Sequence, residues 1–416
     1  MSKKITNLIY NIRLELSWFF IRKPSVKLPE EGVGTRFLIL SGGGLRMEEQ
    51  KSFGEEMMFL SICRHISQSN PGASIIILRY EGAAGKEYDF YGYRIREVSF
   101  SSGTYLSPSS YREFRSIASG FSDVYLIGAD CLDGAYWRRQ SIQMLRFMTL
   151  AGIVGCRVRI LGFSYNGNND AVIQKELNRT SSYATLCVRD YISKKRLSEF
   201  VSKNMEIVTD LAFPVDVTSF PVPVSNISIH HTLENWKNEG ATIVAVNICG
   251  WHWQDPEVYL NHFSHYLTRL ANTNPAVRYL LLPHDNREGK VSDGHTLALL
   301  YDKLLNYRER VIFCESLESG VQAKQLVCHA DVLVTGRMHL AIAALSQGVP
   351  VVSLMYQGKF EGLYDHYKFD NKYYFEPDDL GNVFEALDDI LKNRESISQH
   401  IQSSNKKIFR LSERNF

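Results

Sequence analysis

No stretch of this 416-residue chain is apolar for long enough to form a transmembrane helix, so a helical membrane span is excluded. No two of its seven cysteines stand as Cys-x-x-Cys, their number is odd, and several sit inside apolar runs. That pattern excludes a disulfide framework and fits a reducing cytoplasm. Neither sign of charge is in excess: 47 Lys and Arg face 45 Asp and Glu, for a formal net charge of +2. With no basic tract carrying interleaved aromatics, and no helix-turn-helix or zinc-finger spacing, nucleic-acid binding is not expected. No metal is expected either, because no second His or Cys stands at ligand spacing from His284. What the chain does have is 44% hydrophobic and 22% charged residues, the composition of a globular protein with full cores. Its length suggests two or more domains.

The most informative stretch is Ala330 to Leu354. Val332 to Val334 is a short β-branched run, as in a buried strand. Gly336 supplies a turn. Leu340, Ala343, Ala344 and Gln347 share one helical face, Gly348 stops the helix, and Pro350 opens the next strand. This is a βαβ unit with Arg337 and His339 at its first turn. In an open parallel sheet that turn lies on the carboxyl edge, where ligands bind. A helix N-terminus there favours an anion, and Arg337 adds a planar charged fork. The run Tyr356-Gln-Gly-Lys359-Phe-Glu-Gly362 follows the next strand, so Lys359 is expected on the same edge.

Strands alternate with helices along both halves, the pattern of parallel sheets covered by helices. The predicted strands of the first half are Arg36–Leu40, Ser74–Leu78, Val124–Ile127 and Arg157–Leu161, with helices over about 52–66 and 138–153. The Gly-rich loop Ser41-Gly42-Gly43-Gly44 follows the first strand, but it lacks the Walker lysine and the dinucleotide glycine spacing. Residues 80–120, rich in Tyr, Ser and Gly, read as an irregular surface loop over a site. Asp130 follows a strand; it would hydrogen-bond a sugar hydroxyl, act as a base, or cap its own turn. Arg189 and Asp190 form a ligand-facing pair or a structural one. Pro214 to Pro223 reads as a linker. In the second half, strands are expected at 243–248, 279–282 and 311–313, and helices at 256–270, 293–307 and 321–328. Trp251 and Trp253 would stack on sugar or simply pack.

The run Arg337-x-His339, an Ala-rich helix, Gly348-Val-Pro-Val-Val352, then Tyr356 and Lys359, resembles the polysaccharide pyruvyl transferases. Weaker matches are Leu186-Cys-Val-Arg189-Asp190-x-x-Ser193, Asp210-Leu-Ala-Phe213 and Pro283-His284-Asp285. The chain departs from the family where Ser52-Phe-Gly54-Glu55-Glu56 replaces an Asn-x-Gly-Asp-Glu pattern, and where Asp130 replaces a glycine. The resemblance implies a GT-B-like fold, two Rossmann-like α/β domains whose parallel sheets face a cleft. It places a segment and linker at 1–34, an acceptor-side domain at 35–222, a donor-side domain at 223–375 and a helical tail at 376–416.

The resemblance further implies transfer of a pyruvyl unit from phosphoenolpyruvate to a sugar of a cell-surface polysaccharide or its lipid-linked precursor, as a ketal. No separate cofactor is implied. Arg337, Met338, His339, Lys359 and Arg189 would hold the donor. Ser41, Gly42, Gly43, Glu55 and Asp130 would meet the acceptor. His339 is the first choice of general acid, or a plain phosphate donor; His284 is the second choice, and Asp130 and Glu55 are candidate bases. Arg337→Ala is expected to abolish donor binding and leave the fold intact. The rival readings are a GT-B nucleotide-sugar glycosyltransferase and a catalytically inactive binding homologue.

Residues 1–23 stand apart. Ile5, Leu8, Ile9, Ile12, Leu16, Phe19 and Phe20 recur at helical spacing among Lys and Arg, with Trp18 between them. A basic amphipathic helix of this kind lies on the inner face of the cytoplasmic membrane, or docks on the protein's own body.

Overall fold

The computed structural model describes residues 14–416 except 17, 20, 22–34, 42–52, 80–85, 101–105, 251–254, 286–291, 316, 356–359 and 370–371. The chain forms two compact units. The first holds the described residues before 42, Phe59–Leu211 and Leu411–Phe416; the second holds 53–58 and Ala212–Arg410.

In the first unit the strands are β1 (Arg36–Ser41), β2 (Ser74–Arg79), β3 (Glu87–Phe90), β4 (Tyr93–Ser99), β5 (Asp123–Ile127), β6 (Arg157–Phe163), β7 (Thr185–Val188) and β8 (Met205–Ile207). They form one sheet in the order β3-β4-β2-β1-β5-β6-β7-β8. From β1 the chain steps outward to β2 and β4, then returns to β5 on β1's other side. The order therefore reverses between β1 and β5, and a ligand crevice is expected at that reversal. The helices are α1 (Phe53–Ser69), whose first residues 53–58 pack with the second unit, α2 (Pro108–Ala118), α3 (Arg138–Ile153), α4 (Ala171–Thr180) and α5 (Tyr191–Leu197).

Part of the stretch read as an irregular loop is ordered structure. β3 and β4 pair antiparallel, with Phe90 opposite Tyr93. The two-residue turn between them has Tyr91 at φ 53° and Gly92 at φ 85°, the left-handed pair that matches strand twist in a tight hairpin. Tyr-Gly fills a turn for which Asn-Gly is the usual signal, so the hairpin is hidden in the sequence. α2 follows from Ser107, whose hydroxyl accepts the Ser110 N–H while Ser110 Oγ accepts the Ser107 N–H. The sheet is thus parallel except at β3.

The second unit carries α6 (Val224–Asn238), β9 (Thr242–Asn247), α7 (Pro256–Thr273), β10 (Val277–Leu281), α8 (Asp293–Lys303), β11 (Val311–Phe313), α9 (Gly320–Val327), β12 (Val332–Thr335), α10 (Met338–Leu345), β13 (Val351–Leu354), α11 (Phe360–Asp365), β14 (Tyr374–Phe375) and α12 (Leu380–Glu413). Its sheet runs β11-β10-β9-β12-β13-β14, all parallel, and the order reverses between β9 and β12. The helix expected over 293–307 stops at Lys303. Leu304 leaves helical geometry (φ −102°, ψ 20°) and a 3-10 segment, Leu305–Arg310, leads into β11. Gly348, at φ 85°, ends the α10 turn as expected, and Val349 N–H donates back to the Ala344 carbonyl (3.1 Å).

Of the N-terminal segment, the described part includes Leu14 and Trp18, both buried in the first unit's core. Trp18 lies 5.3 Å from the Tyr111 ring and 5.1 Å from the guanidinium carbon of Arg146. Arg146 is fully buried on α3; it donates to Glu176 (3.0 Å), to Tyr111 Oη (3.0 Å) and to Glu15. This face of the segment is therefore spent on the protein itself, and only Leu16 and Phe19 among its described apolar residues point outward. No helix among the described residues is long and apolar enough to cross a membrane.

Candidate functional site

The second unit's sheet reverses where β9 ends at Asn247 and β12 ends at Thr335, and a buried polar network fills that point. Thr335 Oγ1 donates to Asn247 Oδ1 (2.9 Å) and accepts the Arg337 N–H (2.9 Å). Asn247 Nδ2 donates to Asp293 Oδ2 (2.9 Å), as does the backbone N–H of His284 (3.0 Å). Arg337 donates to Asp293 from Nε (3.1 Å) and Nη2 (2.7 Å), and its Nη1 lies 3.1 Å from Asp285 Oδ2. Burial disfavours the guanidinium charge, but the Asp293 and Asp285 carboxylates outweigh that and hold it protonated.

This geometry changes the part assigned to Arg337. Its fork already grips two carboxylates, so it does not stand open to receive a donor bidentately. Nor is Arg337→Ala a change at a surface-facing turn. The side chain is 12% exposed and the Asp293 side chain fully buried, so removing the cation strands buried negative charge. The turn leads directly into the start of α10. Arg337 is its N-cap residue with extended backbone (φ −104°, ψ 114°) and gives no side-chain cap. The first amides of the helix, at Met338, His339 and Leu340, are thus not capped from that side chain, as an anion site requires.

His284 and His339 are brought together here. Burial, then the nearby His339 and Arg337, push the His284 imidazole well below its usual pKa, so it is neutral at pH 7. The first turn of α1 packs against both rings. Phe53 meets His284 edge-on, with centroids 5.5 Å apart. Gly54 lies directly against His339: a Cβ there would sit 2.2 Å from His339 Nδ1 and 2.3 Å from Cγ. Glu56 then accepts the Gly320 N–H (2.8 Å) at the start of α9. The glycine in Ser52-Phe-Gly54-Glu55-Glu56 is explained by this close approach, and Glu55, expected on the acceptor side, belongs to the second unit.

At the first unit's sheet edge, Arg189 is buried. Its Nη1 donates to Asp210 (2.8 Å) and its Nη2 to Ser164 Oγ (2.5 Å). Asp210 braces it, whereas Asp190, expected to do so, caps α5 by accepting the Ser193 N–H (2.6 Å) and Oγ–H (2.8 Å). Arg189, expected at the donor, lies in the first unit. Asp130 follows β5 and accepts a hydrogen bond from Tyr136 Oη (3.1 Å). Ser41 is the buried last residue of β1. Gly42, Gly43, Ser52, Trp251, Trp253 and Lys359 lie outside the described residues.

Asn247, Asp293 and Thr335 were missed by the sequence reading. In the sequence Asp293 stands only as a helix opener, and Asn247 as part of an apolar strand. The usable signal was a polar residue ending each of two otherwise apolar strands, TIVAVN and VLVT. Among the described residues, no group of three or more His, Cys, Asp or Glu side chains is arranged to hold a metal ion.

Solved structures with the same fold include UDP-GlcNAc 2-epimerase from Neisseria meningitidis bound to UDP-GlcNAc, at TM-score 0.59 and 11% identity, covering 91% of this chain and 100% of that one. The S. aureus MnaA–UDP co-structure matches at TM-score 0.58 and 12% identity, over 92% of this chain and 94% of that one. Sucrose-phosphate synthase from Thermosynechococcus elongatus matches at 0.57 and 11%, over 92% and 97%. At such identities the likeness is one of fold, and the fold is GT-B-like, with two α/β units. Among curated proteins, none matches the chain in sequence. The family model for polysaccharide pyruvyl transferase matches residues 53–358, from the first turn of α1 to just past β13. That span contains Gly54, His284, Asp293, Arg337 and His339, and it takes in well over half of the sequence: the chain belongs to the polysaccharide pyruvyl transferase family.

Proposed function

We propose that this transferase moves a pyruvyl unit from phosphoenolpyruvate to two hydroxyls of a sugar in a surface polysaccharide or its precursor, leaving a ketal. The observation that carries the reading is the corner where β12 meets the start of α10: the helix takes no side-chain cap from Arg337, and the cationic Arg337 lies beside His284 and His339. Phosphoenolpyruvate presents a carboxylate and a phosphate. The start of α10 attracts one of them, and the Arg337 N–H groups not directed at Asp285 and Asp293, one on each Nη, are left to meet the other. Arg337 is then as much a brace of the corner as a ligand.

The chemistry needs one proton delivered to the methylene carbon and two hydroxyl protons removed. Protonation at that carbon makes an oxocarbenium-like centre, which a first sugar hydroxyl attacks. A second hydroxyl displaces phosphate, which leaves with the remaining proton. His339, at the helix start, is the proposed acid. His284, held neutral by burial and by its cationic neighbours, carries no imidazolium proton to donate, so the acid role falls to His339.

The test is a calorimetric titration of the full chain with phosphoenolpyruvate and, separately, with UDP-N-acetylglucosamine. The proposal expects saturable binding of phosphoenolpyruvate that His339→Ala weakens. Binding of the nucleotide sugar alone would favour a glycosyltransferase donor and overturn it.

A further inference from the structure

The reversal point of the first unit's sheet, between β1 and β5, carries a feature that the donor corner of the second unit does not account for. β5 ends there in Gly128-Ala129-Asp130, and residues 131–137 lead into α3. The turn is held rigid by its neighbours. Ser141 Oγ donates to the Cys131 carbonyl (2.7 Å), Asn168 Nδ2 to the Asp133 carbonyl (2.9 Å), and Ala135 N–H to Asp133 Oδ1 (2.9 Å). Arg138, the first residue of α3, is tied to Asp170, which caps α4.

This braced turn displays two aromatic rings to solvent. Tyr136 is 39% exposed and Trp137 is 57% exposed, the latter among the more exposed large apolar side chains described. Their centroids are 6.0 Å apart and their planes 42° from parallel. Trp137 is the N-cap residue of α3 and makes no side-chain cap bond, at a position where Ser or Asp would stabilise the helix. A large ring there contributes neither to the core nor to the helix start. Beside the rings, Tyr136 Oη donates to Asp130 Oδ2.

Rings with a carboxylate at their edge match a pyranose, which has an apolar C–H face and a rim of hydroxyl donors. Aromatic side chains give such a ligand wide contact at low entropic cost. Charge narrows the class. Asp130 places its carboxyl at the edge of the rings, Arg138 is tied to Asp170, and Arg189, the cation that Asp130 faces from the core side, is buried and held by Asp210. An acidic sugar would meet repulsion, so the ligand is neutral. We propose that Trp137 and Tyr136 form a platform on which a neutral pyranose of the acceptor stacks, with Asp130 accepting a hydrogen bond from one of its hydroxyls. Calling this sugar the acceptor rests on the function proposed above; the stacking site itself does not.

The test uses the full chain and four neutral tetrasaccharides, built of β-linked glucose, galactose or N-acetylglucosamine, or of α-linked mannose. Binding is read by saturation-transfer NMR and by tryptophan fluorescence. At least one of them is expected to bind the wild type, and Trp137→Ala to weaken it roughly tenfold. Tyr136→Phe, which keeps the ring but drops the hydroxyl, is expected to weaken it less. Both variants should unfold at the wild-type temperature and bind phosphoenolpyruvate as the wild type does. Equal sugar affinity in Trp137→Ala, or no sugar bound by the wild type, overturns the proposal. So does a shift from dimer to monomer on gel filtration of Trp137→Ala, which assigns the rings to a second copy. If phosphoenolpyruvate fails to bind while sugar binds through Trp137, the donor reading falls and the platform stands.

Discussion

Asp293 is the residue on which the second unit's corner depends. Fully buried, it accepts from Arg337, from Asn247 and from the His284 backbone, and so fixes three strand ends at once. Asp293→Asn keeps the shape and removes the charge, leaving Arg337 with Asp285 alone. Breaking a buried pair of this kind costs about 3–5 kcal/mol, so urea unfolding should show a loss of that order, with weaker phosphoenolpyruvate binding. A variant as stable as wild type would mean that the pair contributes little. Gly54 is the second such position. In Gly54→Ala the new methyl must displace the His339 ring, since the two would overlap. Overpacking costs about 1–3 kcal/mol, and turnover should fall more than the KM for phosphoenolpyruvate rises. An unchanged kcat would separate His339 from the chemistry. Arg337 and His284 were visible in the sequence because each follows a strand next to glycine or proline, and His339 because it falls in the first helical turn after Arg337. Asp293 was not, because what makes it matter is three partners on separate strand ends.

At the scale of elements, the βαβ unit from Val332 to Leu354 was legible because period, glycine and proline all agreed there. The β3–β4 hairpin was not, because its turn uses Tyr91 at a left-handed angle in place of the residues that signal one. Hidden too was a contact between α6 and the end of α9: His230 Nδ1 lies 3.1 Å from His329 Nε2. Burial, followed for His329 by its histidine neighbour, lowers both pKa values, that of His329 to about 4. A histidine held neutral in the fold protonates more readily when unfolded. Its stabilising effect is therefore complete above the unfolded pKa of about 6.5 and is lost as pH falls toward 4. The melting temperature should drop across that window, and His329→Phe should flatten the drop. An identical pH profile in the variant would remove the pair from the account.

At the scale of the whole molecule, the two-unit α/β plan was legible because strands and helices alternate throughout. The composition of each unit was not. The first turn of α1 belongs to the second unit, and the last six residues to the first, where Asn415 Nδ2 donates to the Thr209 carbonyl and its Oδ1 accepts the Gly162 N–H. Chain order alone cannot reveal such exchanges. The N-terminal segment is a similar case: its amphipathic pattern was plain, but the partner of Trp18 is a buried arginine on α3. Trp18→Ala should cost about 3–5 kcal/mol, as for other buried large-to-small changes, read by urea unfolding of the full chain. A loss under about 1 kcal/mol would show the segment to be loosely held.

The central claim concerns the donor, and one doubly labelled experiment addresses it. The full chain is incubated with a panel of glycans and phosphoenolpyruvate carrying labelled carbon and labelled phosphorus. The account predicts labelled carbon on a glycan and labelled inorganic phosphate in solution, in equal amounts. Labelled carbon that never reaches glycan, while sugar from a labelled UDP-sugar does, would contradict it.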